Sequence, residues 1–359
     1  MTTLEIGRPT APAPTPTQPS AGRGAGVRWG AVGRPVLRVV RSAVVVWIPV
    51  VLLSTFITFG LGALTDTNPA AQVLGETATP ADIDRMNHYF GLDRPFLVQY
   101  FSWLGHALTG DFGRSYYTTL PVSDSITQAL PVNVSITIVA LLLGILFGGA
   151  LGVGAALSGG GWFDRGVTVL CSAASTVPPF VIGIGIGIGI GIGLIVLFSV
   201  TLPVLPSGGY VPIDQDFGQW LRFAILPALA LSVDVAVAIA RQLRTSLVGE
   251  LRENYVVGAE VRGLTRRRVV FGHALRNASG PAVTVLGYYV PQVIGAMVVA
   301  EAVFNLPGLG KLSLDAAAKG DIPVIQGVLV TMIGLVVLSN LLVNAALLRL
   351  TPHAKRREQ

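Results

Sequence analysis

Residues 131–157, from Pro131 to Leu157, read PVNVSITIVALLLGILFGGALGVGAAL. Wound as a helix at about 1.5 Å per residue, such a stretch crosses the roughly 30 Å hydrocarbon core of a bilayer. Five further apolar stretches lie at about 36–64, 167–198, 223–244, 283–304 and 323–350. Composition agrees: 52% of the 359 residues are hydrophobic and 12% are charged, with a mean hydropathy of +0.66. A soluble globule carries charge on about a quarter of its residues, so water is not the main solvent here. The expected fold class is an all-α integral membrane protein of about six transmembrane helices.

Residues 1–34, rich in Pro, Thr, Ala and Gly, lack the apolar content that offsets the entropy of folding and are expected to be a disordered tail. The apolar run after Arg34, Arg38 and Arg41 is too long for a signal peptide, which predicts a retained first helix over 35–64. Six spans put both termini on one side. That side carries 19 of the 25 Lys and Arg, while Arg85, Arg94, Arg114, Arg222, Lys311 and Lys319 fall on the other. Basic residues gather on the cytoplasmic side, so both termini are expected to be cytoplasmic. The net charge of +6 follows from this asymmetry and does not call for a nucleic-acid partner.

On the outer side, residues 65–130 mix Asp66, Glu76, Asp82, Asp84, Asp93, Asp111 and Asp124 with aromatics such as Tyr89, Phe90, Tyr100, Phe101 and Trp103. The aromatics supply area to bury, which predicts a small folded external segment. The remaining chain divides into a membrane core over 131–350, with a cytoplasmic loop at 245–282, and a tail at 351–359.

The stretch between the fourth and fifth spans reads ARQLRTSLVGELRENYVVGAEVRGLTRRRVVFGHALRNASGPAVTVLG from Ala240 to Gly287. Its charges are mixed, and Gly263 separates two segments of helical composition. A short helix lying across the membrane face would suit docking of a soluble partner; the plainer reading is a basic loop that signals topology and anchors lipid.

The order Tyr255-x3-Ala259-x3-Gly263-Leu264, then Arg266, Arg267 and Arg268, then His273-Ala274-Leu275-Arg276-Asn277 and Pro281, resembles the EAA-type coupling loop of binding-protein-dependent ABC importer permeases, in the dipeptide/oligopeptide (nickel) branch. The segments Phe90-Gly91-Leu92-Asp93-Arg94-Pro95, Gly110-Asp111-Phe112-Gly113-Arg114-Ser115, Glu301-Ala302-Val303-Phe304, Pro307-Gly308-Leu309-Gly310 and Asp321-Ile322-Pro323-Val324 resemble that branch in the same order. The chain departs from it at Val257-Gly258-Ala259, where the first Glu of the signature is absent, and at Asn344 and Thr351-Pro352, where the branch carries Asp.

The resemblance implies a type I ABC importer permease fold in the inner (cytoplasmic) membrane. It implies a second, different permease subunit, two cytoplasmic ATPase domains, an external solute-binding protein and a peptide substrate. It assigns coupling to Tyr255, Ala259, Gly263, Leu264, Arg266, Arg267, Arg268, His273, Arg276 and Asn277. Nickel chelate, haem or glutathione are alternative cargoes. Gly308-Leu309-Gly310-Lys311-Leu312-Ser313 lacks the spacing of a phosphate-binding P-loop, so hydrolysis is expected in a partner and no catalytic residue is assigned.

Asp234 falls near the middle of the fourth span and Glu301 near the outer end of the fifth. Both should face the bundle interior, and with Phe304 they are candidates for the pathway or gate. Asp234 could meet a peptide's ammonium group or serve in a structural hydrogen bond or ion pair. His88, His106, His273 and His353 show no ligand spacing and Cys171 is the only cysteine, so neither metal nor cofactor is expected. The run Gly183 to Gly193, glycine at every second residue, is expected to be helical because a lone strand in lipid leaves its backbone unpaired. Its stripes Gly183, Gly187, Gly191 and Gly185, Gly189, Gly193 would then admit two close neighbours. A secondary transporter without an ATPase is the alternative from another class; it would show inverted repeats around a midplane ion site.

Overall fold

The computed structural model describes residues 30–64, 68–75, 77–176 and 187–350. The tails expected at 1–34 and 351–359 lie outside these, except for residues 30–34. The helices are α1 Gly30–Leu64, α2 Pro69–Leu74, α3 Pro80–Phe90, α4 Phe96–Ala107, α5 Val122–Leu157, α6 Trp162–Thr176, α7 Gly187–Ile195, α8 Phe217–Glu250, α9 Asn254–Val261, α10 Arg266–Phe304, α11 Leu309–Lys319 and α12 Ile322–Leu350. Residues 30–42 belong to a unit separate from the bundle, which starts at residue 43. Among the described residues five stretches are long and apolar enough to cross a membrane: Val45–Leu64, Val122–Leu157, Phe217–Glu250, Arg266–Phe304 and Ile322–Ala345. A shorter apolar helix, Ile188–Thr201, overlaps the stretch expected at 167–198 and ends in a π-helical turn. Residues 177–186 of that expected stretch lie outside the described residues.

The core is built on α5 against α8. Gly144, Gly148 and Gly152 recur every four residues of α5 and so share one face. A β-carbon at Gly148 would lie 2.5 Å from the Ala236 carbonyl oxygen, and one at Gly152 would lie 2.8 Å from that of Ala240. Small residues let two helix backbones come this close, and van der Waals contact replaces the hydrophobic drive that lipid does not supply. The Gly-Ile run behaves differently. A β-carbon at Gly191 would meet Phe304 and Val303 of α10 at 3.2 Å, whereas Gly189 and Gly193 have nothing within 4 Å. Of the two expected close neighbours, α10 is therefore the one found along the described glycines; Gly183 and Gly185 lie outside the described residues.

Several helices outrun the expected spans. The second begins at Val122 rather than at 131, because Val122, Ile126 and Ala129 bury against Leu309, Ala316, Val324 and Val328 of α11 and α12. Their polar neighbours mask this periodicity in a hydropathy reading. The expected 245–282 loop is likewise corrected: α8 runs through Glu250 and α10 starts at Arg266, leaving residues 251–265 between them. Ala274, Ala278 and Ala282, again four apart, pack on Leu243, Leu247 and Ala156, which holds this arginine-rich stretch helical.

Between the first and second spans, Phe56 and Phe59 of α1 meet Phe96 and Tyr100 of α4 edge-on at centroid distances of 5.2–5.8 Å. Buried Asp321, just ahead of α12, accepts hydrogen bonds from Ser115 Oγ at 2.5 Å and from the Tyr116 amide at 3.2 Å, which ties the loop before α5 to α12. Burial pushes the Asp321 carboxyl above the usual carboxylate range despite these donors.

Candidate functional site

Two places combine polar chemistry with helix ends or interiors: the α8–α9–α10 corner and the upper half of α8 against α10. At the corner, α9 closes with paired bonds from the Leu264 amide to the Ala259 carbonyl at 3.1 Å and from the Gly263 amide to the Glu260 carbonyl at 2.9 Å. This is a Schellman ending, which needs a left-handed residue; Gly263 supplies it with φ +83°. Val256 and Ala259 bury against Val269, with Tyr255 and Leu264 packed beside them. The opposite face is open: Val257 and Val261, four residues apart, are exposed at 54% and 83%, and Glu260, Arg262, Arg266, Arg267 and Arg268 are exposed around them.

Three side chains lash this short helix to the bundle. The Tyr255 hydroxyl donates to Glu250 Oε2 at 2.6 Å, and Asn277 Nδ2 lies 3.4 Å from Glu250 Oε2 and 3.3 Å from the Tyr255 hydroxyl. Glu250 ends α8, Tyr255 belongs to α9 and Asn277 to α10. Burial, reinforced by the Glu250 carboxylate, pushes the Tyr255 phenol above its ordinary range. Sequence reasoning passed over Glu250; its signal is its place five residues before Tyr255 across a helix break. His273 and Arg276 are exposed on α10 and take no part in the triad. Nearby, the Arg244 guanidinium of α8 grips the buried Asp164 carboxylate of α6 with two nitrogens, one of them at 2.9 Å.

The second place holds Asp234, midway along the 34-residue α8. Inserting an ionised carboxylate at the centre of a span costs on the order of 3 kcal/mol, so its surroundings matter. Asp234 lines a cavity of about 50 Å³ with Tyr289 and Gln292 of α10, among apolar neighbours that include Leu231, Val293, Val303 and Phe304. Among the described residues it has neither hydrogen bond nor ion pair.

Glu301, expected in the same pathway, does not line that cavity. It is fully buried, accepts Asn133 Nδ2 of α5 at 2.7 Å, and accepts the Lys311 amide at 2.6 Å. Asn133 returns a bond by accepting the Leu309 amide at 2.8 Å. The carboxylate thus fills the N-terminus of α11, where unpaired amides and the helix dipole favour an anion. Gly308 makes room for it, since a β-carbon there would lie 2.3 Å from Glu301 Cδ. Among the described residues no group of three or more His, Cys, Asp and Glu is placed to hold a metal ion.

The family described as "Binding-protein-dependent transport system inner membrane component" matches residues 140–356, and the N-terminal component of such systems matches 34–137. The chain is 37% identical over 297 residues to the probable peptide ABC transporter permease protein y4tP of Sinorhizobium fredii, covering 83% of this chain and 92% of that one. It is 32% identical over 300 residues to the oligopeptide transport system permease protein AppB of Bacillus subtilis, covering 83% and 92%. It is 33% identical over 305 residues to the glutathione transport system permease protein GsiC of Salmonella choleraesuis, covering 85% and 94%.

Proposed function

We propose, for a chain that belongs to the family of binding-protein-dependent transport inner membrane components, that it is the pore-forming permease subunit of an ATP-driven ABC importer for peptides. The peptide class is taken from the names of its relatives; glutathione, itself a short peptide, falls within it. The subunit pairs with a second, different permease, receives cargo from an external solute-binding protein, and is driven by two cytoplasmic ATPase domains. Both termini and α9 then face the cytoplasm, in keeping with the excess of arginine on that side. The α2–α4 segment and α11 face outward.

The observation that carries this reading is the Glu250–Tyr255–Asn277 triad. Work done by a separate ATPase reaches membrane helices only through an element stiffly joined to them. The triad joins α9 to α8 and α10 at once, while Val257, Val261 and the surrounding arginines present an open face to a partner. In this reading Tyr255, Ala259, Gly263, Leu264 and Asn277 shape the coupling helix, and Arg266, Arg267, Arg268, His273 and Arg276 flank its docking face. Closure of the ATPase pair rocks α8 and α10 between inward- and outward-facing states. Hydrolysis belongs to the partner: besides its wrong spacing, Gly308–Ser313 opens a helix whose N-terminus already holds the Glu301 carboxylate. Asp234 and Phe304 line the pathway, whereas Glu301 acts as a structural cap.

Ala259 is buried, so a cysteine at Val261 is the better reporter of docking. In the assembled complex, Val261→Cys should crosslink to a cysteine in the ATPase groove, and uptake should stop without nucleotide. Absence of any crosslink along α9, or uphill peptide movement by the chain alone, would overturn the assignment.

A further inference from the structure

Glu301 and Asp234 are both acids within spans, yet the bundle satisfies the first with Asn133 Nδ2 and the Lys311 amide and leaves the second open. An unpaired carboxylate at mid-depth in a membrane helix is costly and marks a site awaiting a partner. Tyr289 and Gln292 of α10 line the same cavity as Asp234. Neither of these two has a hydrogen bond among the described residues.

We infer that Asp234, Tyr289 and Gln292 form a mid-membrane way station for a primary ammonium group of the cargo, whether its free amino end or a lysine side chain. The inference rests on the permease reading above. An ammonium head carries three N–H donors and no acceptor, and the site offers a carboxylate, a phenol oxygen and an amide oxygen to receive them. The volume fits as well. A cavity of about 50 Å³ has room for a small polar head group, since about 10–15 Å³ of such space already holds a water. The walls of Ile190, Leu231, Val293 and Phe304 keep the rest of the site apolar, which strengthens attraction to a charge that enters. Asp234 and Tyr289 are only half-buried and Gln292 is exposed, so the site opens onto the surface and the group can leave again.

The test uses the complete importer, with second permease, ATPase and binding protein, in sealed vesicles. Uptake is compared for a short peptide with a free amino end, its N-acetylated twin, and an N-acetylated twin bearing lysine, each with the binding protein saturated. The wild-type complex should move the free-amino peptide about tenfold faster than the acetylated one, and Asp234→Asn should bring that ratio near one while ATP hydrolysis persists; tenfold corresponds to about 1.4 kcal/mol of discrimination. Restored uptake of the lysine-bearing peptide assigns the site to any primary ammonium group; restoration by the amino end alone assigns it to the terminus. A wild-type ratio of one, or a ratio unchanged in Asp234→Asn, overturns the inference. Should Asp234→Asn fail to assemble, Gln292→Leu and Tyr289→Phe must lower the ratio, and an unaltered ratio in both overturns it equally. A complex that moves none of the peptides counts against the permease reading instead.

Discussion

The corner where α10 meets α11 and the midpoint of α8 treat an acid within a span in opposite ways. Glu301 is enclosed by Asn133 and by the first amides of α11, so its charge holds three helices together. Asp234 has a phenol and an amide near it but no hydrogen bond among the described residues. A charge in a span that is fully met serves the packing, and in the reading above the one left unmet waits for the cargo.

The comparison breaks most readily at Glu301. Glu301→Leu strands Asn133 Nδ2 and the Lys311 amide, each unmet buried donor costing about 1–3 kcal/mol, and should lower the unfolding temperature of the purified complex markedly. Glu301→Gln, which keeps an acceptor, should recover much of that loss. The two glycine regions supply the next contrast. Gly148→Leu drives side-chain atoms into the Ala236 backbone and should cost at least the ~1–3 kcal/mol of ordinary overpacking, seen as reduced yield of folded protein. Gly189→Leu, with nothing within 4 Å, should leave yield unchanged.

Smaller effects sharpen the picture at the two membrane faces. Tyr255→Phe removes two of the three bonds of the triad, each worth about 1 kcal/mol; ATP hydrolysis should outlast uptake in this variant, read as more ATP spent per peptide. Asp321 has a raised pKa, so its contribution is full below the unfolded aspartate value of about 4 and fades as pH rises through the folded one. Asp321→Asn should therefore flatten the pH dependence of protection for the amides around Ser115 and Tyr116 in hydrogen exchange. Least of all should Asp234→Asn disturb stability, because no bond among the described residues is lost and a charge leaves the span; a drop as large as that of Glu301→Leu would erase the contrast.

Much of this was legible in the residues. The run over 131–157 announces its span, and glycine at 263 marks the end of a short helix because only that residue turns left-handed without strain. The starts of α5 and α10 were hidden, since Val122, Ile126 and Ala129, like Ala274, Ala278 and Ala282, are small or sparse apolar positions set among polar ones. Glycine content misled more. The conspicuous Gly-Ile alternation has a period of two and spreads its glycines around α7, while the quieter α5 series has a period of four and puts three on one face.

What the chain decided alone is which segments are long and apolar enough to cross a bilayer, because insertion free energy is summed residue by residue along one segment at a time. Which glycine meets a neighbouring backbone, and whether a carboxylate finds donors, depends on residues as far apart as Asn133 and Glu301. Contacts of that kind exist only once helices have packed, so tertiary structure alone made Glu301 a cap and left Asp234 open.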